Sequence, residues 1–160
     1  MAESPAPEEV AAWQRRLASQ ANNHAWRLSE STSRSPAEDE NMLQGAHAAM
    51  FFWKIVGNAS HRAHAALLLA HVYALLKLPD PARHYFAQCE PFFFAQERDP
   101  WEQAIAYAVK SGVAAASGQS ETHASSYARA DRLIAALPDS QDREILNATL
   151  HVIPKPLPEP

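Results

Sequence analysis

Eight histidines are spread through the 160 residues, and they are the side chains best suited to chemistry in this sequence. His24, His47 and His71 fall on three successive helical stretches. A short turn at Gly57-Asn58 would set the second and third antiparallel, with His47 at about the height of His71, and His24 on the first stretch would join them. Three imidazoles from three helices make a shell for zinc or iron, with a water in the open position. Against such a shell, no helix carries an H-x-x-x-H or E-x-x-H pair, and no carboxylate stands at ligand spacing beside the three. The reading with no cofactor therefore comes first, and a metal-dependent helical-bundle enzyme using His24, His47 and His71 is its alternative. His61 and His64, three residues apart, read as histidines hydrogen-bonded at a helix start.

Other chemistry has less support. There is no G-x-S-x-G and no glycine-rich phosphate loop, and the serines of residues 29–35 have nothing to activate them. Cys89 is the one cysteine, which rules out an internal disulfide and reads as a small apolar core residue. Trp13, Trp26, Trp53 and Trp101 lack the basic neighbours of a base-stacking platform, and they read as core. No catalytic residue emerges.

The scaffold that must position these side chains is all-α. Only 4 glycines occur, and the 12 prolines lie mostly at the ends or beside helix starts. The first helix begins at Pro7 and shows a stripe of Val10, Trp13, Leu17, Ala21, His24 and Leu28. Ser35-Pro36-Ala37-Glu38 has the layout of a capping box and opens the second, with Met42, Ala46, Ala49, Met50, Trp53 and Val56 on one face. Gly57 is expected to end it as a left-handed cap, and Asn58 or Ser60 to start the third, over about 60–77. Asp80-Pro81 should open the fourth. Pro91 should kink or end it near Glu90, leaving Phe92, Phe93 and Phe94 in a final turn or a separate segment. Asp99-Pro100-Trp101-Glu102 opens the fifth, which runs to Gly118. Ser120 caps the sixth, with Tyr127, Ala130, Ile134 and Leu137 inward, and Asp139 or Ser140 the seventh, with Ile145, Leu146, Leu150 and Ile153 inward. Residues 1–6 are expected to be disordered, 7–153 to form a single helical domain, and 154–160, PKPLPEP, to be a proline-rich extended or disordered tail.

In the hairpin from His64 to Cys89, Leu69, Ala70, Tyr73, Ala82 and Phe86 follow the order and spacing of small, apolar and aromatic positions in the tetratricopeptide repeat. Gly118 and Ala124 echo that pattern weakly. The chain resembles this family, with three departures: Lys77 stands where the turn glycine belongs, the late proline does not fall on Pro91, and the period is longer than the standard 34 residues. The A-H-A-A-x-x-x-W segment, Ala46-His47-Ala48-Ala49 to Trp53, is also similar to one in a group of bacterial helical proteins. The first resemblance implies about seven antiparallel helices in αα-hairpins, wound as a right-handed superhelix or closed into a compact bundle. It also implies a partner-facing line of His64, Leu67, His71 and Ala74 on the third helix and Ile105, Ala108, Gly112 and Ala115 on the fifth. Such a groove would take up a protein or peptide partner; helices packed over it would make it ordinary core instead. The aromatic set Phe51, Phe52, Phe92, Phe93 and Phe94 is a second candidate interface, suited to a homodimer.

Composition bounds what such a domain does. Hydrophobic residues are 47% and charged residues 20%, enough to bury a core. With a net charge of -4 and no clustered Lys and Arg, nucleic acid is not the expected partner. No apolar run approaches the roughly 20 residues of a membrane span, and MAESPAPEEV lacks the features of a signal peptide, so no membrane association and a cytoplasmic location are expected. A non-enzymatic scaffold or adaptor that binds a protein or peptide is the leading expectation.

Overall fold

The computed structural model describes residues 4–157; the expected disorder of residues 1–3 and 158–160 lies outside them. Seven helices follow in order: α1 Pro7–Ser29, α2 Pro36–Val56, α3 Ala59–Leu75, α4 Pro79–Phe94, α5 Pro100–Ala116, α6 Ser120–Ala136 and α7 Ser140–His151. No strand occurs among the described residues, and no helix is long and apolar enough to cross a membrane.

Side chains start most of these helices. Ser35 accepts from the Glu38 amide while Glu38 accepts from the Ser35 amide, a reciprocal capping box. Asn58 caps α3 in the same way, with His61 Nδ1 as the returning acceptor. Asp99 and Asp139 cap α5 and α7. Three sequence expectations are corrected. Gly57 is extended rather than left-handed, because Asn58 starts α3 immediately and leaves no room for a closing turn. Leu78 and Gln119, not Asp80 and Ser120, precede the first residues of α4 and α6. Pro91 does not end α4, which runs on to Phe94. Both Pro91 and Ala87, whose carbonyl loses its partner there, are exposed, so the carbonyl is not left buried without a hydrogen bond.

The helices form two layers. The odd-numbered helices touch in succession, α1 to α3 to α5 to α7, and each even-numbered helix bridges its predecessor to the next odd one. Helix α3 lies at the centre, against α1, α2, α4 and α5, with ten of its 17 residues buried. Helix α1 packs through Ala18 and Ala25, leaving Trp13 and Leu17 exposed on its outer side. The sequence stripe missed this face because small residues set it. A Cβ on Gly45 would stand 3.2 Å from the Ala21 carbonyl oxygen and 3.4 Å from the Ala25 Cβ, so α1 and α2 meet nearly backbone to backbone. Ile145, expected inside, is also exposed, while Leu146, Leu150 and Ile153 are buried.

The two central hairpins close with the same Schellman turn. In the first, Lys77 N–H donates to Ala74 O and Leu78 N–H to Tyr73 O; in the second, Gly118 N–H donates to Ala115 O and Gln119 N–H to Ala114 O. Lys77 (φ 58°) and Gly118 (φ 69°), 41 residues apart, hold the same left-handed position. A side chain there strains the backbone, and nothing lies within 4 Å of a Cβ placed on Gly118. Lys77→Gly should therefore stabilise the fold by about 0.5–1 kcal/mol and Gly118→Ala should destabilise it by a similar amount. Urea unfolding of both variants checks this; a Lys77→Gly protein less stable than its parent would show that the lysine side chain makes contacts that outweigh the strain.

Candidate functional site

A cleft of about 1560 Å³ opens where the carboxyl ends of α3 and α5 meet the α1–α2 loop, the start of α6 and the C-terminal segment. Its floor is built from positions that are equivalent when the closing turns of the two central hairpins are aligned. His71 and Ala74 on α3 correspond, 41 residues on, to Gly112 and Ala115 on α5, and all four line the cleft. The remaining groove residues named from the sequence lie elsewhere. Leu67 and Ala108 are wholly buried and Ile105 is nearly so, which makes them core residues. At the far end of α3, His64 lies 3.4 Å from the Glu102 carboxylate and packs edge-on against Phe93. The partner-facing line is thus closed along its amino-terminal half and open only at its carboxyl-terminal end.

His71 is completely buried, its ring stacked on Trp26 at 5.3 Å and 25°. Neither ring nitrogen meets a hydrogen-bond partner among the described residues. Desolvation, and then the Arg34 cation, push its pKa down to about 3, so the ring is neutral at physiological pH. Arg34 comes from the α1–α2 loop. Its Nε donates to Asp39 Oδ1 at 2.6 Å and its Nη1 to the Ser31 carbonyl at 2.8 Å, which fastens the loop to the start of α2. The one signal of this lock is an arginine beside the N-cap serine with Asp39 five residues on.

The other end of the cleft holds the chain's own C-terminal segment. Ile153 is buried, with its Cγ1 3.4 Å from where a Cβ on Gly112 would stand. His123 Nε2 donates to the Pro154 carbonyl at 2.7 Å, while the His123 carbonyl accepts from Ser111 Oγ. The described part of the expected tail is therefore anchored at its first residue, Pro154, while Lys155 and Leu157 are exposed. Nothing in the sequence pointed to His123.

The three histidines of the metal hypothesis do not converge. His24 Nδ1 pairs with Arg27 Nη2 at 3.0 Å, His47 Nε2 with the Tyr73 hydroxyl at 2.8 Å, and His71 lies under Trp26. Among the described residues no three His, Cys, Asp or Glu side chains are grouped to hold a metal ion. The height argument failed because His47 turns toward Tyr73 and Tyr85, which stack on each other at 5.8 Å. Cys89 is buried with its thiol pushed up to about 12, which removes it as a nucleophile. The aromatic interface set divides as well. Phe93 is core, Phe92 lies under the Arg98 guanidinium at 3.8 Å, Phe94 packs on Tyr107, and Phe51, with Phe52 at its edge, is the one largely exposed. Compared with family models, curated proteins and solved structures, the chain gives no match.

Burial of His71 has a consequence for stability. The folded chain keeps the ring neutral down to about pH 3, whereas the unfolded chain protonates it near pH 6.5. Below pH 6.5 the unfolded state therefore binds a proton that the folded state does not, and stability falls as pH falls through that window. His47, also depressed by desolvation, acts in the same sense. Urea unfolding should show a loss on the order of 2 kcal/mol between pH 7 and pH 5 from His71 alone. Equal stability at the two pH values would mean that the ring is solvated or paired in solution.

Proposed function

We propose that this chain is a tetratricopeptide-like helical module of the cytoplasm that binds an extended segment of a partner protein in the cleft at the carboxyl ends of α3 and α5. The observation that carries this reading is the chain's own C-terminal segment. Ile153, in the turn that closes α7, lies on the bare backbone of Gly112, and Pro154 is held by its carbonyl from His123, an apolar side chain and a backbone acceptor of the kind a bound peptide would offer the groove. Small side chains at Ala74, Gly112 and Ala115 let a backbone come close, and the lining is open over the part that Ile153 and Pro154 do not cover. Burial of apolar side chains supplies the affinity, and a few hydrogen bonds to the peptide backbone set its register.

Selection of a displayed random-peptide library on the full chain tests this reading. One sequence motif should be enriched on the native protein, and a synthetic peptide carrying it should bind at least about tenfold more weakly to Ala115→Arg, which places a charged side chain across the floor. No enriched motif, or one that binds the variant equally well, would refute the groove. Light scattering of the native chain at two concentrations tests whether a second copy is such a partner.

A further inference from the structure

The closed end of the same cleft has chemistry that a peptide groove does not need. A neutral imidazole always offers one N–H donor and one lone-pair acceptor, and His71, wholly buried but part of the cleft lining, has no protein partner for either among the described residues. A buried group in that state is costly to keep, so it calls for a ligand that meets it. Beside it in the lining stands Arg34. Its Nε and Nη1 are committed to Asp39 and Ser31, and its Nη2 donates to nothing among the described residues. Charge in the lining is unbalanced in the same direction: Arg34, Lys77 and Lys155 face the single carboxylate of Glu121. The rest is chiefly apolar, with Ala74, Leu75, Ala115 and Ala116 around the two polar groups.

We infer that the His71 end of the cleft is a binding site for a small amphipathic carboxylic acid, its carboxylate accepting from Arg34 Nη2 and from the His71 N–H while its apolar body lies over the alanines of α3 and α5. A carboxylate fits better than a phosphate. The guanidinium presents a planar edge, and its charge is already partly met by Asp39, so a dianion taken that deep would be left undercompensated. Space permits this alongside the peptide. A small-ligand site occupies roughly 300–1,000 Å³, less than the approximately 1560 Å³ of the whole cleft, so the acid and an extended segment can share it. The acid site thus goes beyond the peptide reading and stands or falls separately from it.

Isothermal titration of the full chain with octanoate, octanol and octylammonium tests the site. Octanoate should bind saturably at one per chain, octanol at least about tenfold more weakly, and octylammonium not at all. His71→Leu, an apolar replacement that the core accepts, and Arg34→Gln should each weaken octanoate at least about tenfold while leaving octanol unchanged. The His71 variant keeps the test sound if loss of the Arg34 lock loosens the loop. Octanol binding as tightly as octanoate would reduce the site to an apolar pocket. Octanoate affinity unchanged in His71→Leu would place the acid elsewhere, and no saturable octanoate binding would remove the site while leaving the peptide selection to stand on its own result.

Discussion

The structure depends on the enclosure of α3. A helix packed on nearly every side has little face to give to water, and α3 accordingly carries only Ala and Leu from Ala65 through Ala70. Ordinary amphipathic helices complete the fold around it. They reach it through small residues, so the layers sit close and the core is assembled largely from alanine contacts, with Phe93, Met42 and the α3 leucines filling the wider gaps. Within this enclosure His71 is the one polar side chain of α3 wholly out of water. Trp26 stacks on its ring, and both nitrogens are buried without a partner among the described residues, in a side chain that belongs to the cleft lining.

The repetition of the hairpin makes the cleft legible as a site. The same Schellman turn closes α3 on α4 and α5 on α6, which sets the carboxyl ends of the odd helices side by side. At equivalent points of the two hairpins stand an imidazole and a bare backbone, His71 and Gly112. One offers hydrogen bonds and the other offers close approach, and the C-terminal segment takes the second through Ile153. The two ends of the cleft therefore differ in chemistry although they descend from one geometry. Lys77 adds to the contrast, since it holds a strained left-handed position that its counterpart fills with glycine, and its side chain joins the cationic lining.

Much of the scaffold could be read from local signals. Ser35, Asn58, Asp99 and Asp139 announce their helices because an N-cap is a matter of one side chain and the two or three amides beside it. The errors came where tertiary contact overrode local preference. Trp13 and Leu17 looked inward by hydrophobicity, yet the close approach at Gly45 turned the alanine face of α1 to the core. Pro91 looked like a helix end, yet its lost bond falls on the wet side of α4. Of the residues that line the cleft, His71, Ala74 and Gly112 were named from the sequence, by a register that also named Leu67, Ile105 and Ala108, which are core. Arg34, Trp26 and His123 were not legible, because each reaches the cleft or its floor from a loop or helix distant in sequence. The metal hypothesis failed for a related reason: equal height along antiparallel helices does not fix the direction in which a side chain turns.

The central claim is that His71 is held at the cleft for binding and at a cost to the fold. The thermal unfolding midpoint of His71→Leu at pH 7.5 tests it most directly. Replacing an unpartnered buried ring by an apolar side chain of similar size should raise the midpoint by about 2–4 °C, corresponding to about 1 kcal/mol in a chain of this size. A lower midpoint would mean that the imidazole is hydrogen-bonded within the fold, and the account of the cleft as a site built around it would be wrong.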